Sequence, residues 1–304
     1  MLKHAAMRAP SGLTLVELMA AIAVAGVVLA IVAGLALRQQ RTFVALSDDA
    51  ALAGQLRDAA SMLPTDLRSA AVGAGDLREA SDTSAELRET IASAVVCDTL
   101  GAALVLAPPA PGAPTFAGKV ASVESGDTAW LLSADDAAPT WQARRVGSVG
   151  VTHAGPCAAG GPHLGAESLV ASRTWLSIDS SPAPATLVGR PLRITRPIRY
   201  SLYHSADGHW YLGARDWNNA TSKFNAIQPI AGPFQPPSGA PLFRWFDTTG
   251  APLATPVAAR DRVALVRIDL RGQTRHADRA LGSRQHTGPR ADSASIAVSV
   301  RNRS

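Results

Sequence analysis

Hydrophobic and polar positions divide the chain into stretches of different period. From Leu18 to Leu37, twenty residues pass without a charge. At ~1.5 Å of rise per residue the run is long enough to cross a bilayer core, which takes about 20 helical residues. Further on, Phe43, Leu46, Ala50, Ala53, Leu56, Ala60, Leu63 and Leu67 recur at spacings of three and four, with Arg41, Asp48, Asp49, Arg57 and Asp58 mostly off that face. The spacing predicts one helix from Leu13 to about Ala71, roughly 90 Å long, whose second half lays an apolar stripe on a globular domain. Pro64 removes a backbone donor and is expected to kink the last turns.

Gly73, Gly75 and the polar residues after them end this element. Thr83 and Glu86 stand at capping-box spacing and predict a short second helix over Ser84–Ala94. After Val95 the pattern turns to short apolar runs separated by Gly, Pro and Asp, the mark of β structure. The clearest hairpin joins 198–203 to 209–212 through Ser205-Ala206-Asp207-Gly208, where Asp-Gly supplies the positive φ of a tight turn. Further strands are expected at 242–247, at 262–270 with well-kept alternation, and at 294–302. Loops are expected at 108–114 and 155–165.

Composition changes this picture little. The 304 residues hold an anchor plus one large or two small domains. Net charge is +5, the only lysines are Lys3, Lys119 and Lys223, and such a balance is no nucleic-acid signature by itself.

The entrance to the apolar run carries more information. Glu17 stands directly before it, within Gly12-Leu13-Thr14-Leu15-Val16-Glu17, behind a short leader with Lys3, His4 and Arg8. A lone acid inside a bilayer is costly, about 2.5–3.5 kcal/mol at the helix centre, so Glu17 points to a function and a partner. The arrangement resembles the class III signal of type IV pilins and type II secretion pseudopilins. The resemblance implies that a prepilin peptidase cuts after Gly12, making Leu13 the first residue, open to N-methylation, and Glu17 the fifth. A protonated amine on Leu13 could then be neutralised by Glu17 of a neighbouring copy; paired, two such charges are tolerable in an apolar setting. Losing residues 1–12 lowers the net charge to +3. Leu13 replaces the phenylalanine usual at the first position in that family, and Gly34 the helix-kinking proline of many major pilins. Two plainer readings remain. An ordinary secretory signal could be cut near Ala33-Gly34-Leu35-Ala36, but the apolar run exceeds the usual ~7–15 residues. A simple anchor with Glu17 at the interface is the other.

Later segments extend the resemblance. Leu63-Pro64-Thr65-Asp66-Leu67-Arg68-Ser69-Ala70 is similar to the end of the same helix in J-type pseudopilins and in the PilW group of minor pilins. The Tyr-containing hairpin, the aromatic strand ending in Asp, the Val-x-x-Val-x-Ile strand and the final strand follow that group in order over residues 190–304. Residues 95–190 resemble no family. The family topology would put everything after the anchor outside the cytoplasm, where thiols oxidise, so Cys97 and Cys157 either form one bridge or remain two separate buried thiols.

No nucleophile elbow, phosphate-binding loop, dinucleotide fingerprint or zinc spacing occurs. His153 and His163 flank Cys157 as surface residues of a Gly/Pro-rich loop, and Asp135-Asp136 lacks the alternating oxygens of a calcium loop. The six tryptophans are expected as core or strand-edge residues rather than a stacking platform. Ten arginines and four aspartates occupy 260–304. Arg271, Arg275, Arg279, Arg284 and Arg290 bracket a basic loop, expected first as a mobile, solvated connection between the last two strands and only second as a face for DNA or an acidic neighbour; without aromatics, DNA is the less favoured partner.

These readings combine into an α+β fold, pilin-like, with a long N-terminal helix (transmembrane, then amphipathic) packed on an antiparallel β-sheet domain. The expected divisions are a leader at 1–12, a transmembrane and filament-core helix at 13–37, an amphipathic half at 38–72 and a β-rich domain at 73–304. The resemblance implies a PilW-like minor type IV pilin that helps initiate pilus assembly near the filament tip. A type II secretion pseudopilin and a DNA-binding tip subunit are the alternatives. No enzymatic activity, cofactor or metal is expected. The implied partners are other minor and major pilins, the prepilin peptidase, the inner-membrane assembly platform and, before assembly, membrane lipid. The implied location is the inner membrane, single-pass with the C-terminal domain in the periplasm, and then the pilus or pseudopilus.

Overall fold

Helix α1 spans Leu15–Ser69, fifty-five residues without a break. The computed structural model describes residues 14–101, 103–107, 116, 122–132, 141–152, 157, 173–179, 187–237, 241–277 and 289–300. Within them the strands are β1 (Leu77–Ala80), β2 (Ser84–Leu100), β3 (Ala103–Ala107), β4 (Thr128–Leu132), β5 (Trp141–Thr152), β6 (Arg173–Ile178) and β7 (Pro191–His204). They are followed by β8 (Trp210–Asn218), β9 (Lys223–Phe224), β10 (Gln228–Phe234), β11 (Phe243–Phe246), β12 (Leu265–Ala277) and β13 (Pro289–Ser299). The chain divides into two compact units, one of α1 up to Ala51 with Arg275–Arg290, the other of Leu52–Thr274 with the chain from Ala291.

In the larger unit the last turns of α1 lie on a sheet in the order β1-β2-β7-β8-β10-β12-β11, with β13 paired to β12. Leu52, Leu56, Ala59, Leu63 and Leu67 of α1 share a core with Leu87, Tyr200, Leu212, Phe243, Trp245 and Ile268. The buried stripe therefore begins at Leu52. Phe43 and Leu46 are 74% and 63% exposed, and Ala50 and Ala53 also face outward, contrary to the stripe expected from Phe43 onward. The reason is rotational. Packing selects spacings of four, three, four and four from Leu52, a face about one position round from the one the alanines suggested. Close approach sets this face, since a β-carbon at Gly272 of β12 would stand 2.4 Å from Leu52 Cδ1. The helix continues through Pro64 to Ser69, and the Thr65 hydroxyl donates to Ser61 O at 2.9 Å.

The second helix expected at 84–94 is instead part of β2, a correction. Its Ala, Glu, Leu and Arg residues suit a helix in isolation, but the segment pairs with β7 from Ser84↔Ser201 to Val95↔Pro191 and with β1 on its other edge. Tertiary pairing overrides weak local propensity. Glu86, which stands at capping-box spacing from Thr83, is buried and accepts from Arg199 Nη2 at 2.6 Å.

Residues 95–190, without a family resemblance, complete a second feature. β2 pairs β3, β3 pairs β6, β6 pairs β5, β5 pairs β4, β4 pairs β7 and β7 returns to β2. Six antiparallel strands thus close a ring, which removes free edges. Its filling includes Ile91, Val96, Leu104, Leu106, Leu131, Leu176 and Ile194. The two long strands β2 and β7 belong to both ring and open sheet.

The hairpin of β7 and β8 has His204 opposite Trp210, and Gly208 takes φ 83° in its turn. β11 falls inside 242–247. β12 starts at Leu265, because Arg260–Arg262 form a 3-10 turn, and then alternates Val266, Ile268 and Leu270 inward.

Candidate functional site

The first described turn of α1 is closed by a reciprocal cap. Glu17 Oε2 accepts from the Thr14 backbone N–H at 3.0 Å, and the Glu17 N–H donates to Thr14 Oγ1 at 3.3 Å. Thr14 and Glu17 have the residue types and spacing that satisfy two otherwise orphaned donors of a helix start. Glu17 thus has a structural task inside its own chain, which the sequence reading missed although Thr-x-x-Glu is its signature. Gly12 and Leu13, the expected cleavage and methylation positions, lie outside the described residues.

Beyond this cap the helix is apolar all round and uncovered. Leu15, Met19, Ile22, Val24, Leu29 and Ile31 are each more than half exposed. Among the described residues, one helix is long and apolar enough to cross a membrane, and its apolar window has no residue buried within the protein. Such a surface needs lipid or other helices around it.

Cys97 and Cys157 form a disulfide with Cα atoms 4.8 Å apart, tying β2 to residue 157 across sixty positions. His153, His163, Asp135 and Asp136 lie outside the described residues. Among the described residues, no group of three His, Cys, Asp or Glu side chains could hold a metal.

The arginines expected to bracket a basic loop are placed differently. Arg271 and Arg275 lie on β12 and Arg290 on β13, so the arms of a hairpin replace much of the loop, a correction. Arg271 and the pair Arg275 and Arg290 fall in different units. Arg290 Nη1 donates to Asp49 Oδ2 of α1, which offsets its charge. Arg279 and Arg284 lie outside the described residues. The tryptophans divide: Trp130 and Trp245 are buried and donate to Thr195 Oγ1 (2.9 Å) and Ser81 O (2.8 Å), whereas Trp141 is 38% exposed.

Two of the buried acids, Asp66 and Asp127, tie distant segments of the larger unit together. Asp66, on the last turns of α1, accepts from the Tyr200 hydroxyl of β7 and fixes helix to sheet. Burial, with the Asp66 carboxylate beside it, pushes the Tyr200 hydroxyl pKa far above its ordinary value. Asp127, its side chain fully buried, receives Arg196 Nε and Nη2, both at 2.8 Å, and Asn219 Nδ2 at 2.7 Å. The bond to Asp127 raises the Arg196 pKa despite partial burial. Sixty-nine residues separate this pair, so no local pattern could reveal it.

Comparison with known families finds one match, the prokaryotic N-terminal methylation motif, over residues 7–33. The chain therefore carries an N-terminal methylation motif typical of type IV pilins and pseudopilins. No curated protein and no solved structure matches it.

Proposed function

We propose that this chain is a minor type IV pilin of the PilW kind, inserted in the inner membrane with its β domain in the periplasm and then assembled near the filament tip. The observation that carries the reading is the methylation motif at 7–33 running directly into an uncovered apolar helix. Cleavage after Gly12 would free the Leu13 amine. The apolar helix would pass from lipid to a bundle of like helices with little change in its surroundings. Other minor and major pilins, the prepilin peptidase and the assembly platform are the partners this reading requires. The pairing of Arg290 with Asp49 weighs against DNA as a partner.

Glu17 has two tasks to separate. Its carboxylate caps Thr14, yet two oxygens offer about four acceptor sites, so it can also meet the amine of a neighbouring copy. Glu17→Gln keeps a capping-box acceptor and removes the charge. Both Glu17→Gln and Glu17→Ala are expected to leave the protein in the membrane fraction and out of sheared filaments. Normal incorporation of the Gln variant would leave Glu17 a helix cap and nothing more. A clean deletion, with surface pili and secreted proteins quantified together, separates the filament systems. Lost pili with normal secretion support the pilus, and retained exoproteins with normal pili move the chain to a type II secretion pseudopilus.

A further inference from the structure

A cleft of about 550 Å3 opens in the larger unit where β2, β7 and β8 meet the chain between β8 and β9. Its size lies within the ~300–1,000 Å3 common for small-molecule sites. Its wall is preorganised by the buried Asp127, which holds Arg196 and Asn219 in place.

The lining restricts the ligand by charge. Glu89, Glu124 and Asp216 contribute carboxylates. Among the described lining residues the cation is Arg196, which is bound to Asp127 and also donates to Ser122 O at 3.0 Å. Among the described residues that line the cleft, carboxylates outnumber cations, which disfavours phosphates, nucleic acids and acidic sugars. It is also too polar for an apolar guest, since Asn218, Asn219 and Asn225 line it with Asp216.

Trp217 supplies the remaining element. It lines the cleft, is only half-buried, and meets Phe224 at 81° with centroids 5.1 Å apart. The edge-to-face contact sets the orientation of the indole, and Trp217 remains among the residues that line the cleft. Arg199 lies over the Phe224 ring at 4.9 Å, a cation–π contact that steadies that ring. Around Trp217, Asn218 commits one donor to Asn225 (3.4 Å) and one acceptor to the Thr221 N–H (3.0 Å), so each amide keeps hydrogen-bonding capacity. Asp216 is exposed beside them.

We propose that this cleft binds a neutral saccharide of one or two pyranose rings. An apolar sugar face would lie on Trp217, and its hydroxyls would donate to Asp216 and exchange hydrogen bonds with Asn218 and Asn225. A pyranose has both features, a C–H face and a rim of hydroxyls; an amine would meet the carboxylates and the indole through a cation–π contact, and its binding would show the steep salt dependence that a neutral sugar lacks. The site stands on the cleft alone and does not depend on the filament reading.

The test uses the full-length protein in a detergent without a sugar headgroup, titrated by calorimetry and saturation-transfer NMR. The probes are diacetylchitobiose, lactose and mannobiose, with spermidine as the cationic comparison. At least one disaccharide is expected to bind saturably, with an affinity changing by less than about twofold between roughly 0.05 and 0.5 M salt. Trp217→Ala should weaken it by roughly two- to tenfold, through loss of the stacking face. Asn225→Ala, at an exposed position, should weaken it while leaving the melting temperature unchanged, and Trp141→Ala on β5 should have no effect. The proposal is overturned if none of the three disaccharides binds, if Trp217→Ala and Asn225→Ala bind as tightly as the wild type, or if only spermidine binds, with steep salt dependence.

Discussion

Tyr200→Phe removes one oxygen from the junction between helix and sheet and is the sharpest probe of how α1 is held. The Tyr200 hydroxyl is buried and donates to Asp66, which is 3% exposed. A hydrogen bond to a charged group contributes about 1.5–3 kcal/mol net. For a protein of this size each kcal/mol moves the midpoint by about 2–4 °C, so the variant should melt roughly 3–12 °C lower. The two proteins should also differ in alkali. Burial raises the folded pKa of Tyr200, so above about pH 10 the unfolded chain loses this proton while the folded one keeps it. Wild-type stability is then fully present below the unfolded pKa and falls by about 1.4 kcal/mol per pH unit above it. Phenylalanine lacks that slope, and every other titrating group cancels in the comparison. Thermal and urea unfolding of both full-length proteins in detergent, at neutral pH and from about pH 9 to 11, reads both effects. A variant that melts within about 1 °C of the wild type, or a stability difference that stays constant through that alkaline range, would refute the reasoning.

Cys97→Ser with Cys157→Ser should destabilise the larger unit by about 4 kcal/mol in the chain-entropy view of a sixty-residue closure. The check is urea unfolding with and without reductant, in which reductant shifts the wild type and leaves the double variant alone. Asp269 supplies a dependence at the acid end. Partial burial pushes its pKa up, but Ser295 at 2.6 Å and Arg244 Nε at 2.8 Å outweigh it and hold the carboxyl below its ordinary range. Its stabilisation is therefore present above the unfolded pKa of about 4 and lost as pH falls through the lower folded value. The stability gap between wild type and Asp269→Asn should close on acidification, and a gap that widens would count against this network.

Much of the architecture was written locally. Twenty uncharged residues after Glu17 give a membrane-length helix in any context, because period and apolarity act within a few turns. Asp207-Gly208 sets its hairpin in the same way, since the positive φ falls on Gly208, which adopts it without strain. The cap of Thr14 and Glu17 was equally local, a Thr-x-x-Glu spacing that went unread because the same glutamate also marks the family signal it resembles.

Tertiary structure decided whatever depends on partners distant in sequence. Ser84–Ala94 has the residues of a helix and becomes strand because β7, a hundred residues on, offers it a ladder. The same pairing closes the six-stranded ring, which no local period encodes. The covered face of α1 begins at Leu52 because Gly272 lets the backbones approach there, while Phe43 and Leu46 stay exposed. Sequence alone left the cysteines open, since whether two thiols meet is a distance, and distance is set by packing. The Asp127 cluster and the cleft beside it arise the same way, from side chains on four separate segments whose polar groups had to find partners once buried.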